Sequence, residues 1–145
     1  RRVPCGSMEN TIMTGDGVIG SRLSYKFHEP DRGDIAIFHF PDDPTGKTLY
    51  VKRIIGLPGE TVDIVDSQVY INGEPLDEPY IREPMDPEEP MHFEVPEGCY
   101  FMMGDNRNYS SDARYWHNHY VAEDQIIAKV LFRYYPFSKI SWLDE

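Results

Sequence analysis

The chain holds just two cysteines, Cys5 and Cys99, in 145 residues. They are too few and too far apart for a zinc ribbon or a disulfide-dense scaffold, and one long-range disulfide is the most they can form. No apolar run reaches the roughly 18 residues that a bilayer demands of a helix, and no basic-then-apolar leader opens the chain, so no membrane span is expected within it. Basic residues are scarce: 14 Lys and Arg stand against 25 Asp and Glu, a formal net charge of −11. A nucleic-acid binder needs a basic stripe, and these cations are scattered, which argues against a phosphate-backbone partner. Internal repeats and low-complexity tracts are absent too.

What is present is apolar and punctuated. A 40% apolar fraction, a 13% aromatic fraction, 11 Gly and 12 Pro describe a globular chain rich in strands and turns, of a length that suits one domain, residues 1–145. "DIAIFHF" (34–40), "LYVKRIIGL" (49–57) and "VDIVDSQVYINGEPL" (62–76) are β-branched or alternating runs bounded by turn residues; the last predicts a hairpin, with Asn72-Gly73 a strong turn dipeptide feeding a short strand. Pro75, Pro79, Pro84, Pro87, Pro90 and Pro96 stand among acidic residues and predict an extended excursion without regular structure, so that 77–96 reads as an insertion or cap. "CYFMMGDN" predicts a buried strand ending in a turn, and "AEDQIIAKVLFRYY" (122–135) a helical turn running into a strand.

Two nucleophiles stand side by side in "VPCGSMENTI", residues 3–12: Cys5 and Ser7. A serine is inert until a base takes its proton. His28, His39, His92, His117 and His119 fall in strand or loop contexts without an orienting Asp at a recognisable spacing. "HNH" at 117–119 would put two imidazoles on one strand face, yet no third ligand cluster accompanies them, so no metal is expected. Lysine is the other base, and it works only when neutral. Bringing it from about 10.4 to about 7 or 8 costs the charged form about 4 kcal/mol, which burial of one ammonium supplies. Lys52, in "LYVKRIIGLPGE", has the apolar strand neighbours for this. "MGDNRNYSSDARYW" (103–116) adds Asp105, Asn106, Arg107, Ser110, Asp112 and Arg114 directly after an apolar strand, a polar cluster that reads as a hydrogen-bonded platform. "RGD" at 32–34 reads as the turn into a strand rather than an adhesion motif, and Asn108-Tyr109-Ser110 matches a glycosylation acceptor inside that platform.

"SM" at 7–8, "RGDIAIF" at 32–38, "YVKRIIGLPGE" at 50–60 and "GDNRNYSSDAR" at 104–114 occur in the order and spacing of type I signal peptidases, and the chain resembles that family over nearly its whole length. The resemblance implies Ser7 as nucleophile and Lys52 as general base. It implies Ser110 as the hydroxyl that holds the lysine, an Asp112–Arg114 salt bridge beneath it, Asp105, Asn106 and Arg107 in the same wall, and Tyr50 helping to bury the lysine. A Ser-Lys dyad is a one-base variant of the triad logic. Where many bacterial members carry a serine that assists the oxyanion hole, this chain has Cys5, a weaker donor, leaving more of the work to the Ser7 backbone N–H. Ala113 replaces a serine between the Asp and the Arg, with little expected effect.

From the same resemblance follow a mainly β fold of coiled antiparallel sheets, no cofactor, and secretory precursors with small residues before the cleaved bond as substrates. It also implies membrane lipid as a partner through an N-terminal helix absent from this chain, and work at the outer face of the cytoplasmic membrane. Tyr134, Tyr135, Phe137, Trp142 and Leu143 suit either a lipid interface or core packing. Two other functions share this pattern: a self-cleaving Ser-Lys repressor-type peptidase, and a non-catalytic β module that binds extended peptides.

Overall fold

The structure, a computed structural model, describes residues 17–21, 25, 28–81, 83–135 and 141–142, with side chains described at 25, 28–81 and 83–131. These residues form strands β1 (Gly17–Ser21), β2 (Ile35–His39), β3 (Leu49–Gly56), β4 (Thr61–Val65), β5 (Gln68–Ile71), β6 (Glu74–Pro75), β7 (Met91–Glu94), β8 (Cys99–Met103), β9 (Val121–Ala122), β10 (Ile126–Tyr135) and β11 (Ser141–Trp142). One sheet runs β1-β10-β2-β3-β8-β9, with β11 also on β10, and a smaller one runs β6-β5-β4-β7. Every pairing is antiparallel. The fold is mainly β, as the sequence predicts.

β2 is central, and its residues show why. Ile35 and Ile37 pack with Ala128 and Val130 on one side, while Ala36 and Phe38 enter the larger core on the other. Burial on both faces explains the continuous apolar run. β3 pairs with it in the register Ala36↔Lys52 and Phe38↔Tyr50, so Lys52 and Tyr50 share the Phe38 face. On its other side β3 meets β8, with a register shift between Ile54 and Gly56. A Cβ on Gly56 would lie 2.8 Å from Val62 Cγ2 and 3.0 Å from Phe101 Cβ, so there is no room for a side chain at that position. The larger core cluster includes Ile54, Phe101 and Met103 of the first sheet together with Val62, Val69 and Phe93 of the second, joining the two.

The second sheet departs from expectation at two places. The predicted turn at Asn72-Gly73 is present, with φ of 51° and 84°, and feeds the two-residue β6. A second tight turn, Asp66-Ser67, joins β4 to β5 with φ of 51° and 66°. Neither residue is glycine, so the sequence signal is weak; the Ser67 hydroxyl donates to the Met85 carbonyl at 2.6 Å and anchors the turn. The Pro-rich excursion is also not wholly irregular. Met91–Glu94 form β7, pairing Phe93 with Val62 along β4, because the four residues after Pro90 lack proline and Phe93 alternates into the core.

The helical turn predicted before β10 is the 3₁₀ turn Glu123–Gln125. "HNH" lies in a bend between the 3₁₀ turn Arg107–Tyr109 and β9, not on a strand, because the chain is still turning around Trp116. Among the described residues no helix is long and apolar enough to cross a membrane. The side chains of Tyr134, Tyr135, Phe137, Trp142 and Leu143 lie outside the described residues.

Candidate active site

Ser7 and Cys5 lie outside the described residues, so the site is built from Lys52 and the residues around it. Lys52 sits mid-strand on β3 and is 2% exposed. Its Nζ donates to Ser110 Oγ at 3.3 Å and lies 5.5 Å from the centre of the Tyr50 ring. Tyr50 stacks on Phe40 at 4.3 Å and meets Trp116 at 5.6 Å, which closes an aromatic flank beside the amine. The strand register is thus what brings the lysine under apolar cover.

Ser110 is fixed by its own segment. It is buried and ends the 3₁₀ turn Arg107–Tyr109 in an extended conformation. Beneath it the Asp112 carboxylate takes the Arg114 guanidinium at 2.8 Å through Nε and 3.0 Å through Nη2, and also accepts the Gly104 N–H at 3.0 Å. Arg114 Nη2 donates as well to the Arg107 carbonyl at 2.8 Å, and Arg107 Nε to the Gly104 carbonyl at 2.7 Å. The Ala113 N–H reaches the Met102 carbonyl at 3.1 Å, tying the segment to β8. Every described buried side-chain N or O atom in the chain has a partner, the condition under which a buried polar network is rigid rather than costly.

Asp105, also predicted from sequence, is paired across the fold. Its carboxylate takes Arg53 Nε at 2.8 Å and Nη2 at 2.7 Å, and Arg53 Nη1 donates to the Gly33 carbonyl at 2.7 Å. The structure therefore brings Lys52, Tyr50, Ser110, Asp112, Arg114 and Asp105 into one connected region; Asn106 stands next to Asp105, just before the 3₁₀ turn. Sequence patterning does not point to Arg53, Glu78 and Tyr80. Glu78 binds Arg107 in a two-bond fork, with Nη1 at 3.0 Å from Oε1, and the Tyr80 ring lies 4.1 Å from the Arg53 guanidinium and 5.9 Å from that of Arg107. Burial would lower the Arg107 pKa, but the Glu78 bond and charge outweigh it and raise the value.

The other motifs are structural. In "RGD", Arg32 pairs with Glu60 at 2.5 Å, Gly33 makes the turn at φ 91°, and Asp34 accepts from Tyr25 at 3.0 Å and faces Lys129 at 3.6 Å. Asn108 uses its amide within the fold, accepting from the Asp86 N–H at 2.7 Å and donating to the Pro84 carbonyl at 3.2 Å. His92 does have a carboxylate partner, Asp63, directly across the β4–β7 pair, a pairing visible once β7 exists. Among the described residues no cluster of His, Cys, Asp and Glu could hold a metal ion. Cys99 is a free thiol whose pKa burial pushes up, with the Asp124 charge adding to the rise.

Comparison with known proteins gives a consistent result. Residues 1–135 match the family model described as signal peptidase, peptidase S26. The chain is 41% identical over 144 residues to a probable signal peptidase I-1 of Synechocystis, covering 96% of this chain and 72% of that one. It is 38% identical over 152 residues to a signal peptidase I of Leptolyngbya laminosa, covering 99% and 71%. The crystal structure of a signal peptidase I from Enterococcus faecalis superposes with a TM-score of 0.58 at 33% identity, over 70% of this chain and 97% of that one.

Proposed function

Because this chain belongs to the signal peptidase S26 family, we infer that it is a serine endopeptidase that removes signal peptides from secretory precursors. The self-cleaving repressor and the non-catalytic peptide-binding module give way to this reading. In it the Ser7 hydroxyl attacks the carbonyl carbon of the scissile bond, and Lys52 takes the hydroxyl proton and returns it to the leaving amine. Water, deprotonated by the Lys52 amine, then attacks the acyl-enzyme carbonyl, and Lys52 returns that proton to the Ser7 oxygen as the ester bond breaks. The Ser7 backbone N–H and, more weakly, the Cys5 thiol support the oxyanion. Neither a metal nor an organic cofactor enters any step.

One observation carries the reading: Lys52 is 2% exposed and donates to Ser110 Oγ at 3.3 Å, on a segment held by Asp112 and Arg114. A lysine at the surface would keep its hydration and its proton; one in this setting is the type that serves as a base. Tyr50 supplies its apolar flank, and Asp105 and Asn106 complete the wall. Residues 1–145 act as one catalytic domain, with 77–96 a cap segment. The substrate is an extended precursor segment with small side chains before the cleaved bond, met at the outer face of the cytoplasmic membrane, where an N-terminal helix preceding these residues provides the anchor and the lipid contact.

The test is cleavage of a peptide spanning an Ala-x-Ala signal site, in detergent or lipid, followed by mass spectrometry of the products. A cut after the final Ala, lost in Ser7→Ala, is the expected result. A cut elsewhere, or activity that survives the substitution, contradicts the assignment.

A further inference from the structure

The Pro-rich segment after β6 is fastened to the "GDNRNYSSDAR" box and the Tyr115 that follows it at successive points. Glu78 takes the Arg107 guanidinium, Asn108 holds Asp86 and Pro84, Arg114 Nη1 meets Met85 Sδ at 3.6 Å, and the Tyr115 hydroxyl donates to Glu88 at 2.7 Å. Most of these are contacts at the rim. The pair at the start, like the Arg114–Met85 contact, is buried: the Arg107 side chain is 0% and the Glu78 side chain 5% exposed.

Tyr80 makes that start more than an anchor. Its hydroxyl donates to Glu78 Oε2 at 2.8 Å, and its ring lies near two guanidiniums, Arg53 at 4.1 Å and Arg107 at 5.9 Å. Arg53 follows Lys52 on β3. Arg107 opens the 3₁₀ turn that ends at Ser110, and its carbonyl and guanidinium tie into Arg114 and Gly104. Tyr80 therefore touches both chain segments whose separation sets the Lys52–Ser110 contact, and Glu78 binds Arg107 on one of them and the Tyr80 hydroxyl. Two like-charged guanidiniums near one another repel, and a ring face with an adjacent carboxylate is the arrangement that holds them in place.

We propose that Glu78 and Tyr80 are positioning residues for the catalytic base, clamping the Lys52 strand against the Ser110 turn through Arg53 and Arg107. Neither reaches the reacting atoms. Their part is to keep Ser110 within hydrogen-bond reach of the amine and water out of the seam. The proposal rests on Lys52 being the base.

The experiment compares Tyr80→Ala, Tyr80→Phe and Glu78→Gln with the parent chain by kcat, KM and the pH dependence of kcat on the signal-site peptide, with Lys52→Ala alongside. A thermal melt checks folding of each. Tyr80→Ala is expected to lower kcat about tenfold at unchanged KM and to move the acid limb of the profile to higher pH, as water enters and the ammonium is better solvated. Tyr80→Phe keeps the ring and restores most of both. Glu78→Gln, which retains the shape, shows the same direction as Tyr80→Ala and serves if that variant does not fold. A folded Tyr80→Ala or Glu78→Gln with parental kcat and an unmoved acid limb overturns the clamp. Activity surviving Lys52→Ala overturns instead the dyad on which it rests, so the two failures are distinguishable.

Discussion

Asp105 faces Arg53 through two bonds with its side chain fully buried. Removing one member of a buried pair costs far more than the pair is worth against an apolar replacement. Asp105→Ala is expected to lower the unfolding free energy by about 3–5 kcal/mol in urea titration. His92 is the opposite case, a surface histidine bonded to Asp63, whose hydrogen bond and then charge raise its pKa above 6.5. A raised value means that the pair contributes stability fully below pH 6.5, and that the contribution is lost as pH rises through the folded value. An NMR titration of the imidazole is expected to place His92 above the usual histidine value, and Asp63→Asn to bring it down. At this scale Lys52 was legible, because its apolar neighbours on a strand are visible in "YVKRII". Arg53 was not: its partner is 52 residues away, and nothing local separates a buried arginine from a surface one. Glu78 was hidden in a run of acidic residues that reads as solvated.

Among the elements, β3 does most to position the site, and its end is the most constrained. At Gly56 an added methyl group would meet Val62, Phe101 and Val95, all buried. Gly56→Ala is expected to destabilise by about 1–3 kcal/mol, read as a lower denaturation midpoint with an unchanged m-value. Strands β2, β3 and β8 were legible, since burial writes itself as apolar runs. The Asp66-Ser67 turn was not, because its left-handed backbone is held by a bond to Met85 that no local pattern encodes. β7 was obscured for a similar reason: prolines on either side of Met91–Glu94 mask a strand that depends on pairing with β4.

At the scale of the molecule, one core cluster spans both sheets, so the segment that carries Glu78 and Tyr80 is fixed relative to β3 and β8 by packing as well as by charge. A net charge of −11 disfavours electrostatic docking of this domain to anionic headgroups. Catalysis by this domain turns on Lys52 acting as the base for Ser7. The measurement that reaches it most directly is kcat/KM on the signal-site peptide as a function of pH, for the parent chain and Lys52→Ala. The parental rate is expected to fall toward acid pH as the amine gains its proton. Lys52→Ala is expected to lose at least about a hundredfold at every pH. Parental activity in Lys52→Ala, with the same acid limb, would contradict it.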